Sequence, residues 1–190
     1  MALQRFEIDG YGQIELNNVA FRRDGRIEAQ CKLDEAFDEK QFVGGIYAEN
    51  GMLLAIDKAN GLVKFYDAEN PLPIALHYST EHMYDERTPG LKNFALPRGT
   101  FLPRMGYLSV GELFTTNCLC YDDGEYTDDD ALKTELKECT TKTIYGGVST
   151  MGAIKVSATK PQAGPVLKVV KYYTMPNGAP GVKFQVVQAW

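Results

Sequence analysis

Two histidines, four cysteines and one run of acidic side chains are the places where this 190-residue chain could do chemistry. His77 lies between Leu76 and Tyr78 in an apolar stretch, and His82 lies in a polar one. Serine hydrolysis needs its serine on a rigid corner within reach of an imidazole. Ser79 is the nearest serine in sequence, but no nucleophile-elbow pattern surrounds it, so both histidines read as structural or surface groups. Cys118-x-Cys120 is one residue short of the Cys-x-x-Cys spacing used by redox and zinc sites. On a strand, both thiols would point to one face. With Cys31 and Cys139 they are expected to be reduced and simply packed. The run Asp122-Asp-Gly-Glu-Tyr-Thr-Asp-Asp-Asp130 invites a hard cation, since such ions take carboxylate oxygens. It lacks the EF-hand placement of glycine and glutamate and is expected to be a solvated loop. Glu81, Asp85 and Glu86 carry the groups of a glycosidase, but that chemistry rests on a carboxylate separation that spacing alone does not supply. There is no phosphate loop, zinc box or dinucleotide fingerprint. No catalytic residue, metal ligand or cofactor is expected, and the chain reads as a non-enzyme.

Composition narrows the partners. The formal charge is −5 and the basic residues are scattered, a poor design for gripping phosphate backbones, so nucleic acid is not expected. No apolar run approaches the roughly 18 residues of a membrane helix. The first residues, Met1 to Asp9, have no apolar core of a secretory signal, so synthesis and folding in a cytoplasm are expected. The length suits one domain, residues 1–190.

The elements that must carry these residues are strands. Pro97 to Tyr121 is the densest stretch: Phe101, Tyr107, Leu108, Val110, Leu113, Phe114, Thr115 and Thr116 favour a pleated, half-buried surface. Gly99, Gly106 and Gly111 punctuate it, and two short strands are expected about a hinge at Val110-Gly111-Glu112. Upstream, a hairpin is expected about Arg23-Asp24-Gly25, with Ile27, Ala29, Cys31 and Leu33 on its inner face. A second turns at Asn60-Gly61, joining Met52–Asp57 to Leu62–Asp67. Ile74 to Tyr78 follows as a strand. Downstream, the one helical pattern is Ala131 to Cys139, with Asp130 as its cap and Leu132 and Leu136 on its apolar side. A last hairpin joins Val166–Thr174 to Val182–Ala189. The expected fold is all-β, many short antiparallel strands forming a barrel or sandwich, with at most one short helix, about 131–139. An N-terminal arm (1–10) and the C-terminal hairpin (166–190) are the pieces free to serve assembly.

Three stretches go further: Asn50-Gly-Met-Leu-Leu-Ala-Ile-Asp-Lys-Ala-Asn-Gly-Leu-Val63, Pro73-Ile-Ala-Leu76, and Gly99-Thr-Phe-Leu-Pro-Arg-Met-Gly-Tyr-Leu108 continuing through Gly111-Glu-Leu-Phe-Thr-Thr-Asn117. The set resembles the head-decoration, or capsid-auxiliary, proteins of tailed bacteriophages. A glycine, apolar run and aspartate recur there, followed by Pro-Arg-x-Gly-x-Leu-x-x-Gly-Asp-x-Phe-Thr-Thr-Asn. Here Glu112 stands where Asp is commoner. The resemblance spans about a third of the chain. It implies a non-enzymatic virion protein that binds the major capsid protein and itself and stabilises the shell. No family binding residue carries over. A terminal arm can add a strand to a neighbour, and tryptophan is an effective interface anchor. Leu3, Phe6 and Trp190 are therefore the expected assembly contacts. Two other readings are a carbohydrate-binding β-sandwich using Tyr84, Tyr107 or Tyr126, and a tail or baseplate component.

Overall fold

The computed structural model describes residues 2–15, 19–37, 47–79, 91–99 and 101–189. Strands dominate it, numbered here along the chain. A seven-stranded sheet runs in the order β1 (Leu3–Arg5), β11 (Leu119–Asp122), β13 (Ile154–Ser157), β12 (Tyr145–Gly147), β14 (Val166–Thr174), β15 (Pro180–Gln188), β10 (Leu113–Thr116). A six-stranded sheet runs β2 (Ile27–Glu28), β9 (Met105–Gly106), β7 (Ile74–His77), β5 (Leu53–Asp57), β6 (Leu62–Lys64), β3 (Lys32–Leu33). β4 (Ala48–Glu49) and β8 (Ala95–Leu96) form a separate pair. Pairing is antiparallel except at β11–β13 and β3–β6, which are parallel. The all-β expectation therefore holds.

The apolar run Met52 to Ile56 explains how the layers meet. All five residues of β5 are buried, and alternate side chains enter different cores. Leu53 and Ala55 join the larger cluster with Phe114, Phe184 and Leu119. Leu54 and Ile56 join a second cluster with Leu33, Phe37 and Met105. A strand wetted on neither face needs no polar alternation, and the sequence shows none. Residues 2–15 touch both edges of the seven-stranded sheet. β1 lies on β11, and the Phe6 amide donates to the Leu119 carbonyl at 3.0 Å. Ile14 bridges Thr116 beside β10, and the Glu15 amide donates to the Thr115 carbonyl at 3.0 Å. The sheets include one half-barrel.

Two hairpins form as the turn chemistry requires. β5 and β6 meet about Asn60-Gly61, with Gly61 at φ 65°, and β14 and β15 pair along their length with two bulges. The hairpin expected about Arg23-Asp24-Gly25 does not form. Phe21–Asp24 is instead a single helical turn, α1, closed by Gly25 in the left-handed conformation. Gly25 ends a helix here rather than turning a hairpin, and β2 pairs with β9 from far along the chain. Accordingly Ile27 is exposed, while Cys31 and Leu33 are buried.

The expected helix is present as α2, Asp129–Lys137. It starts two residues early because the cap is Asp128, whose carboxylate accepts from the Ala131 amide at 2.8 Å. Leu132 and Leu136, four apart, enter the larger core. Asp128→Ala should lower stability by about 1 kcal/mol, read from the urea midpoint. An unchanged midpoint would mean that packing alone fixes the start of α2.

Candidate functional site

The three stretches that carry the phage resemblance converge in space. Leu53, Leu54 and Ala55 of the first pair with Leu76, Ala75 and Ile74 of the second. Leu76 and His77 then pair with Gly106 and Met105 of the third. Gly51 lies against Thr116 and Cys118, where even a Cβ would overlap the Thr116 hydroxyl. Gly106 likewise leaves room for the ring of Phe21.

Polar residues of the third stretch fix its corner. The Thr116 hydroxyl donates to the Gln13 carbonyl at 2.6 Å and accepts from the Cys118 amide at 3.1 Å. The Asn117 side-chain oxygen accepts from the Gln13 amide at 2.7 Å. Glu112 takes the Arg26 guanidinium and, at 3.0 Å, the Ser109 amide. The carboxylate at 112 thus ties the turn at Gly111, itself at φ 90°, to the chain entering β2.

His77 is fully buried at the centre of this unit. Its Nδ1 lies 2.8 Å from the Glu49 carbonyl oxygen. A carbonyl only accepts, so Nδ1 carries the proton and Nε2 accepts from the Ser79 hydroxyl at 2.8 Å. Ser79 Oγ in turn accepts from the Arg104 amide at 2.7 Å. The serine–imidazole distance is that of a nucleophile and its base. Ser79, however, is buried and already tied to the backbone before β9, so the pair acts as a clip between chain segments. Burial holds the imidazole well below its ordinary value, at about 4, opposed by the Glu49 carbonyl. His82, Glu81, Asp85, Glu86 and Tyr84 lie outside the described residues.

Cys118 and Cys120 share a face, as their spacing requires, and both enter the second core. Burial pushes their thiols up, to about 12 and about 11. Such thiols hold their protons and make poor nucleophiles. At pH 8, mass spectrometry of the native protein treated with iodoacetamide should show label on half-exposed Cys139 and none on Cys118 or Cys120 until denaturant is added. Early label on Cys118 would contradict this packing.

The acidic run turns out to stitch the fold together. Asp122 pairs with Lys155 at 2.5 Å. Asp123 accepts from the Ala2 amide at 3.1 Å, and Asp129 from the Glu7 amide at 2.7 Å and the Tyr121 hydroxyl at 2.8 Å. Glu125 takes Ser157 and Ala158 at 3.0 and 2.6 Å. The run is solvent-exposed at Asp123, Glu125, Asp128 and Asp130, as expected, and its carboxylates also hold distant segments. Among the described residues, no three His, Cys, Asp or Glu side chains converge as a metal site would need.

The expected assembly residues separate. Leu3 is half-buried in β1, and Phe6 is only 1% exposed within the larger core. The described part of the expected arm is thus a strand of the domain's own sheet, with Arg5 bridging to Glu49 at 2.6 Å. Trp190 lies outside the described residues. Of the tyrosines considered for sugar stacking, Tyr126 is buried in the larger core and Tyr107 is half-buried, with the Lys58 ammonium 5.3 Å from its ring centre.

What the unit does offer to solvent is apolar. Phe101 is 63% exposed, Leu102 49%, Val110 66% and Leu113 42%. The Gly111 amide donates to the Val186 carbonyl at 2.8 Å, which places exposed Val187 beside this turn. Residue-by-residue alternation could not single out these side chains, because Phe101, Leu102 and Val110 lie in turns and irregular backbone. Among the described residues no helix is long and apolar enough to cross a membrane. Comparison of the chain with protein-family models, with curated proteins and with solved structures finds no match in any of the three.

Proposed function

We propose that this chain is a non-enzymatic structural protein of a tailed-phage particle, docking on the capsid shell and stabilising it. One observation carries the reading: exposed large apolar side chains concentrate on the segment with the phage-like pattern. Eight such side chains are exposed among the described residues, and four of them, Phe101, Leu102, Val110 and Leu113, fall within residues 101–113. Singly scattered exposed leucines and valines need no explanation. A concentration on one short segment fits a surface that a partner covers. The partner of this reading is a subunit of the shell, with further copies of the chain seated on neighbouring subunits. The net charge of −5 suits the outer face of a shell better than one packed against nucleic acid.

Truncating an interface anchor commonly costs about 2 kcal/mol or more, some thirtyfold in affinity. Phe101→Ser and Val110→Ser should each weaken binding to undecorated heads by roughly that factor, with thermal unfolding unchanged because both side chains already face water. Full binding by the double variant would rule out this surface.

A further inference from the structure

We propose that a cavity formed by β12, β13 and the loop after β13 binds a small organic anion bearing a carboxylate or phosphate. The cavity has a volume of about 340 Å³. β13 supplies Lys155 and Ser157, the loop after it supplies Thr159, Lys160 and Gln162, and Tyr66 closes the side nearest β6. This volume lies at the lower end of the range for small-ligand sites.

The walls are built rather than incidental. A Cβ at Gly147 would lie 2.6 Å from Pro161 Cγ, so glycine there lets the loop rest directly on β12. The Thr159 amide donates to Ser157 Oγ at 2.9 Å, and Gln162 Nε2 donates to the Lys160 carbonyl at 3.2 Å. Glu125 anchors the start of the loop from outside through Ser157 and Ala158. The loop is therefore pinned at its root, braced internally and packed on the strand beneath, which limits the ordering cost of binding.

The lining chemistry selects the ligand. Two lysines line the cavity, and the nearby carboxylates Asp122 and Glu125 lie behind the wall, holding Lys155 and Ser157, so Lys160 is the uncompensated charge. Lys155 is held by Asp122 at 2.5 Å, which fixes its direction. Lys160 forms no ion pair among the described residues and is free to close on a ligand. The hydroxyls of Thr159 and Tyr66 and the Gln162 amide add donors, while Val148, Pro161 and Ala163 add apolar wall. A neutral sugar would find few acceptors for its hydroxyls. An oxyanion finds charge-assisted donors, the stronger kind of hydrogen bond, and a short apolar body finds Tyr66 and Pro161. This site shares no residue with the exposed 101–113 surface, and either could fail without the other.

Titration of the full chain, followed by amide resonances, tests it with two probes: inorganic phosphate, and benzoate as a carboxylate with an apolar body. Both should give saturable shifts confined to residues 147–148 and 155–163 and should compete with each other. Tighter benzoate would assign a carboxylate ligand with an apolar body, and tighter phosphate a phosphate ester. Lys160→Met should weaken both about tenfold, the loss of one charge-assisted contact, while Lys183→Met leaves them unchanged. The Lys160→Met spectrum away from the loop should match the native one, since that side chain is exposed. Shifts that do not saturate at tens of millimolar, that spread evenly over surface lysines, or that survive Lys160→Met would overturn the proposal.

Discussion

Gly51→Ala should be strongly damaging, lowering stability by about 3–5 kcal/mol. Gly51 sits at φ 90°, where an L-residue is strained. The new Cβ would overlap Thr116 Oγ1 and stand 3.0 Å from Cys118 Cβ. Thr116 cannot rotate away cheaply, because its hydroxyl holds both the Gln13 carbonyl and the Cys118 amide. Gly61→Ala supplies the control. It has a similar backbone, φ 65°, but nothing within 4 Å of the added methyl, so about 1–2 kcal/mol is expected from backbone strain alone. Denaturant unfolding of both variants separates the packing contribution from the backbone one. Equal losses in the two would show that the close approach at Thr116 is easily relieved.

Acidification gives the second large effect. Above pH 6.5 His77 is neutral in both folded and unfolded chains, and its contribution to stability is fully present. Between 6.5 and the folded value of about 4, the unfolded chain takes up a proton that the buried imidazole refuses. Stability should fall there by about 1.4 kcal/mol per pH unit, about 3 kcal/mol in all. Below pH 4 this loss is complete. Asp57, lowered to about 2 by Asn60 and Lys64, acts in a separate window, losing its contribution only as pH drops from about 4. Urea unfolding of the native chain and of His77→Gln across pH 4–8 reads the effect as a difference in slope. The variant should lose the extra slope between pH 6.5 and 4, and parallel curves would contradict the buried neutral imidazole.

Much of the architecture was legible because its signals are local. Asn60-Gly61 specified a hairpin by its backbone needs alone, and the unbroken apolar run Met52–Ile56 proved to be a strand feeding two cores. Leu132 and Leu136 marked the helix, though Asp128 rather than Asp130 caps it, since three successive aspartates all suit that position. What was not legible depends on distant partners. Gly25 is equally good at closing a helical turn and at turning a hairpin, and only the pairing of Ile27 with Gly106 decides between them. The acidic run is exposed, but its second role as an anchor was not legible because the amides it accepts from, those of Ala2, Glu7 and Ala158, lie far along the chain. Phe6, an expected contact for a partner, is consumed by the domain's own core. The exposed side chains of 101–113 carry no periodic signature, since periodicity reports strands and helices, and these residues belong largely to turns.

The docking account is tested most directly by mixing the purified chain with undecorated phage heads, pelleting the heads and measuring bound chain against added chain. The account predicts saturation at a fixed number of copies per shell subunit, with occupied heads more resistant to heat and low salt. A chain that stays in the supernatant at all concentrations, or that pellets without saturating, would contradict it.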